Sequence, residues 1–136
     1  MKSSILFFVV AIMSGIAPQN QEPAQDFVTI LQHAYENQQS NIQIQGEGVV
    51  TRLLADDLVI PRHQRFIVRI SPKQTLLMAH NIDIAERVPD LEIDSTVEFY
   101  GEYEWNVEGG VIHWTHHDPD GHHIAGWLKY DGTTYQ

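Results

Sequence analysis

The chain has 136 residues, 43% hydrophobic and 19% charged, which suits one compact domain with a real core and excludes a disordered tail or a multi-domain assembly. Eight Lys and Arg stand against eighteen Asp and Glu, a formal net charge of −10, so phosphate-backbone attraction works against this surface and nucleic acid is an unpromising partner. The absence of cysteine excludes thiolate zinc sites, disulfides, a thiol nucleophile and a lipid-modified N-terminal Cys together.

Met1-Lys2, the nine-residue apolar run Ile5 to Met13 and the small residues Ser14, Gly15 and Ala17 have the layout of a secretory signal peptide. Nine apolar residues fall well short of the ~20 a helix needs to cross the hydrocarbon core. The expectation is a periplasmic or secreted protein whose mature chain has no transmembrane span. Gly15-Ile16-Ala17 has the small-x-small pattern, but Pro18 comes directly after it, so a neighbouring cut is an equal alternative. Removal of residues 1–17 takes away Lys2 and leaves seven basic and eighteen acidic residues, a net −11 on the mature part.

Residues 18–45 are expected to form a polar linker and a helix at about Ala24 to Gln38. Phe27, Ile30, Leu31, Ala34 and Tyr35 recur at three- and four-residue spacing, Pro23 suits a helix start, and Asn37 to Asn41 is a polar stop. Such a helix covers one face or open end of the β domain C-terminal to it. His33 is expected on its surface.

From Gly46 to the C-terminus the pattern changes to short period-two segments with polar or Gly/Pro punctuation. Gly48 to Leu54 is the first predicted strand. In His63 to Ile70, Gln64, Phe66, Val68 and Ile70 share one face while His63, Arg65, Ile67 and Arg69 share the other. Ser71-Pro72-Lys73-Gln74 is a tight turn into Thr75 to His80. Asn81 to Asp90 has room for one or two helical turns. In Thr96 to Trp105, Val97, Phe99, Tyr103 and Trp105 face one way, and Glu98, Tyr100, Glu102 and Glu104 face the other. A final hairpin over Val111 to Tyr130 completes a mainly β fold, a small OB-like barrel of five to six strands with an N-terminal amphipathic helix. An open sandwich is the alternative.

Five of the eight histidines lie between His113 and His123. Asp118-Pro119-Asp120-Gly121 has the residues of a type I turn. Symmetric closure about it sets His117 opposite His122 and His116 opposite His123. Directly opposed Cβ atoms are ~4.5–5.5 Å apart, which suits two imidazoles on one zinc, copper or nickel ion. The candidate metal residues are His113, His116, His117, His122, His123 and Asp118. The competing expectation is that these imidazoles brace the hairpin through the Asp118 and Asp120 carboxylates.

A second constellation joins His63, Arg65 and Arg69 to His80 and Asp83, and could hold an anion. With a metal it would suit a phosphodiesterase or nuclease. The alternative is that Arg65 and Arg69 pair with Glu98, Glu102 or Glu104, whose alternation otherwise describes a solvated barrel exterior. A third possibility is an acidic protein-interaction module without chemistry. The sequence contains no Ser nucleophile elbow or phosphate loop.

Four blocks carry a resemblance: His63 to Val68, Ala79 to Ala85, Phe99 to Asn106, and Gly109 to Pro119 with Gly126-Trp127. Across about Gly46 to Tyr130 the chain resembles the bacterial family called domain of unknown function 3465. Asp94-Ser95 departs from the Gly-Asp usual in that family. The resemblance implies a small exported bacterial protein and assigns no catalytic residue.

Overall fold

The computed structural model describes residues 26–136; the segment expected to be a signal peptide lies outside them. Helix α1 spans Phe27–Glu36, and the strands are β1 (Ile42–Leu53), β2 (His63–Ser71), β3 (Gln74–Asn81), β4 (Thr96–Glu104), β5 (Val111–His113), β6 (Trp127–Tyr130) and β7 (Thr133–Tyr135). The sheet order is β1-β2-β3-β5-β4-β6-β7, and antiparallel pairing of β1 with β4 closes a five-stranded barrel. β5 runs parallel to β3. This is the OB-like architecture expected from the sequence.

Strict alternation decides what fills the barrel. Phe66 and Val68 of β2, Leu76 and Met78 of β3, Val97, Phe99 and Tyr103 of β4 and Ile112 of β5 are fully buried. Their neighbours Arg65, Leu77, Ala79, Glu102, Glu104 and His113 lie on the outer face. The β2–β3 hairpin turns at Pro72-Lys73, with Ser71 paired to Gln74, as the turn residues predict.

At each end of the barrel a buried glutamine hydrogen-bonds to backbone groups. α1 begins at Asp26, whose carboxylate accepts from the Thr29 N–H at 2.8 Å. It seats Leu31 and Ala34 in the core and sets Phe27 edge-on to Phe99. Gln74 ties this end together by donating to the Leu31 and Gly109 carbonyls. At the other end, Gln64 exchanges two hydrogen bonds with the Val88 backbone, at 3.0 and 2.8 Å. The connection after β3 holds one α-turn, Ala85 N–H to Asn81 C=O, and then continues as turns and coil. Among the described residues no helix is long and apolar enough to cross a membrane.

The predicted hairpin over Val111 to Tyr130 does not form. β5 ends at His113, and β6 starts at Trp127. Both pair with the same edge of β4, β5 along Glu102–Glu104 and β6 along Glu98–Tyr100, so they are two parts of one barrel edge interrupted by a loop. Trp114 leaves the strand with φ +57°, a left-handed conformation uncommon for a bulky side chain. Gly126 brings the chain back; a Cβ there would lie 2.0 Å from the Trp114 carbonyl oxygen, which requires glycine.

Candidate functional site

Alternation along β4 projects Glu102 and Glu104 from the outer face, and the β4–β5 register sets His113 directly opposite Glu102. His113 Nε2 lies 3.3 Å from Glu104 Oε2 and 3.9 Å from Glu102 Oε2. One donor atom from each of the three residues falls within 4.8 Å of the others, and all three side chains are half-buried. Two ligand atoms on a tetrahedral zinc at ~2.0–2.1 Å stand about 3.3 Å apart, so the His113–Glu104 pair already has the separation an ion requires.

His123 completes this arrangement from the loop. Its Nε2 contacts Glu102 Oε1 at 2.5 Å, and its Nδ1 contacts the Ile124 carbonyl at 2.9 Å. Neither oxygen carries a proton when Glu102 is ionised, so both ring nitrogens donate and the imidazolium is the satisfied form. Partial burial opposes charge on both residues. The mutual hydrogen bond and attraction hold His123 above the usual imidazole range, and the His123 bond, joined by a hydrogen bond with Glu104 and the attraction of His113 and His123, holds Glu102 below the usual carboxylate range. His123 thus occupies one oxygen of Glu102 and leaves Oε2 facing His113.

Trp114 holds the loop from inside. Its indole stacks on His123 with centroids 3.9 Å apart and meets the His116 ring at 5.0 Å. Asp118 organises the tip: its carboxylate accepts from the backbone N–H groups of Asp120, His122 and His123. These bonds, led by that of Asp120, hold its carboxyl below the ordinary value despite some desolvation. The predicted turn is present, with Gly121 N–H to Asp118 C=O at 2.9 Å. The predicted cross-strand imidazole pairs are not, because Gly126 N–H bonds the His116 carbonyl and no ladder forms between. His116 is buried with Nδ1 on the His117 carbonyl at 2.6 Å, while His117 and His122 are exposed. Of the six metal residues named from sequence, His113 lies in the Glu102–Glu104 cluster and His123 braces it.

The second constellation is divided by the barrel wall. His63, Arg65 and Arg69 lie outside, whereas His80 points inside and is fully buried. Its Nε2 bonds the Glu86 carbonyl at 2.9 Å, which fixes the proton there, and Nδ1 accepts from the Thr115 hydroxyl at 2.7 Å. Burial pushes the His80 pKa down to about 4. Asp83 is paired with Arg62 at 2.7 Å, and that residue's backbone N–H and guanidinium hold its carboxyl low. Among the described residues Arg65 and Arg69 make no ion pair, with Glu98, Glu102 and Glu104 or otherwise. Arg65 instead donates from Nε to the Ala55 carbonyl at 3.0 Å. A shallow cavity of about 470 Å³ brings His63 and Arg65 together with Leu77, Ala79, Glu104 and His113.

That Glu102 and Glu104 could offer ligand atoms to an ion is not apparent from sequence. Their shared face is readable in the alternation of Thr96 to Trp105. What places His113 opposite them is the long-range pairing of β5 with β4, which no local pattern encodes.

These features define a small OB-like β-barrel with a histidine–glutamate cluster, able to hold a metal, on its outer face. Over residues 11–136 the chain matches the family described as Protein of unknown function (DUF3465), and it belongs to that family. No match was found among curated proteins or among solved structures.

Proposed function

We propose that this protein is an exported binding module that holds one divalent transition metal at Glu102, Glu104 and His113, with His123 as the positioning partner of Glu102. The observation that carries this reading is the convergence of two carboxylates and an imidazole within 4.8 Å. Two half-buried carboxylates this close repel each other, and a cation between them removes that cost. Oxygen and nitrogen donors suit zinc, with copper and nickel as competitors. His123 plays the part that outer carboxylates and imidazoles play around metal ligands, fixing the rotamer of a group that touches the ion. Export is supported by the apolar N-terminal segment Ile5 to Met13.

The test is elemental analysis and calorimetric titration of tag-free mature protein with zinc, copper and nickel. One equivalent should bind and raise the unfolding temperature. Glu104→Gln and His113→Ala should each weaken binding by roughly tenfold or more, since each removes a ligand. Wild-type affinity in both variants contradicts the proposal.

A further inference from the structure

Beside the metal cluster, the outer face of β2, β3 and β5 carries a groove with an unengaged cation. Two cavities, of about 430 and 470 Å³, adjoin there and share Arg65 and Leu77. The Nε bond to Ala55 fixes the guanidinium, while its two terminal amino groups have no protein acceptor among the described residues. Arginine so held, with its fork free, is suited to bidentate recognition of an oxyanion.

The strand register sets how far this cation lies from the cluster. Arg65 pairs with Ala79, and continuing the parallel pairing Leu77↔Val111 and Met78↔Ile112 by one residue puts Ala79 beside His113. Strands are ~4.8 Å apart, so the Arg65 and His113 backbones stand about 10 Å from each other. Only the methyl group of Ala79 lies between them, and Leu77 and Val111 extend that apolar floor.

The charges along the groove are mixed. Asp57, Glu104 and His63 line one cavity with Arg65, and Arg52 and Glu108 line the other. Without a metal, Glu104 would repel an anion from this end. A divalent cation on Glu102, Glu104 and His113 offsets both glutamates, and three protein ligands leave a position for an outside donor.

We propose that the metal and Arg65 together bind a small organic oxyanion, one oxygen completing the metal's coordination and another on the guanidinium, with a compact apolar body over Leu77, Ala79 and Val111. This inference rests on the metal site proposed for Glu102, Glu104 and His113, because the cation is what makes the groove attractive to an anion. The ligand is held, with no bond made or broken.

Two probes share the chemistry and distinguish its sources: phenyl phosphate and benzoate. Tag-free mature protein is first titrated with zinc, and the zinc-loaded protein is then titrated with each probe while amide and Arg65 Nε resonances are followed by NMR. At least one probe should give saturable shifts centred on Arg65, Leu77 and Ala79. Its binding should weaken roughly tenfold or more in zinc-free protein and in Arg65→Gln, which loses a charge-assisted contact. Arg65→Gln should keep wild-type zinc affinity, and Arg69→Gln, on the same strand outside both cavities, should keep probe binding. Zinc binding with no saturable groove shifts, or undiminished probe binding in Arg65→Gln, overturns the anion proposal and leaves the metal reading standing. Failure of zinc to bind overturns both.

Discussion

The imidazole of His123 lies on the indole of Trp114, 3.9 Å between centroids and 6° from parallel, while its Nε2 reaches Glu102 on β4. The loop between β5 and β6 is therefore anchored by side chains rather than by a strand ladder. Replacing Trp114 with Leu keeps an apolar side chain but removes the plane on which His123 rests. It should cost about 1–2 kcal/mol, and amide exchange in residues 115–125 should quicken more than in the barrel strands. A uniform change in exchange would show that Trp114 serves the core rather than the loop.

Asp118 performs a different task in the same loop, accepting three backbone N–H groups at its tip. Asp118→Ala should speed exchange at Asp120, His122 and His123 while leaving zinc affinity close to wild type, because its carboxylate serves the turn and not the ion. A large loss of zinc binding would put Asp118 among the ligands.

Buried His80 makes stability depend on acid. Its folded pKa of about 4 lies below the ordinary 6.5, so the unfolded chain takes up the proton first as pH falls. The stability it contributes is complete above about pH 6.5 and is lost as pH falls toward 4, on the order of 3 kcal/mol in all. His116 and His63 add to the cost of charging it, and burial depresses His116 in the same direction. In denaturant titrations across this range, His80→Gln should flatten the pH dependence. An unchanged slope would assign the acid sensitivity elsewhere.

The Glu102–His123 pair works in the opposite sense for histidine. Stability from the raised His123 pKa is present below the ordinary 6.5 and is lost as pH rises through its folded value. That from Glu102 is present above the ordinary 4.5 and is lost as pH falls through its depressed value. In metal-free protein, Glu102→Gln should shift the His123 titration downward by NMR. A titration identical to wild type would mean that the contact does not persist in solution.

The barrel was legible where local pattern and topology agree. Alternation in His63 to Ile70 put Phe66 and Val68 inside and Arg65 outside, and Pro72-Lys73 joined β2 to β3 as expected. In the histidine segment the turn at Asp118 to Gly121 was correct, but its flanks were not strands. A tight turn is a four-residue property, whereas the edges that β5 and β6 pair with depend on β4, and the left-handed Trp114 and crowded Gly126 divert the chain between them. Histidine density therefore pointed to the neighbourhood of the cluster, and of the six residues it named His113 is the one that lies in the Glu102–Glu104–His113 group. The glutamates that converge on His113 share a face readable in the alternation, but it is the long-range antiparallel β4–β5 pairing that sets His113 beside them.

Anomalous diffraction from crystals of the mature protein soaked with zinc tests the metal centre most directly. A single strong peak should lie about 2.0–2.2 Å from oxygens of Glu102 and Glu104 and from His113 Nε2, with His123 still hydrogen-bonded to Glu102. A peak instead among His116, His117, His122 and Asp118, or no peak from protein saturated with zinc, would contradict it.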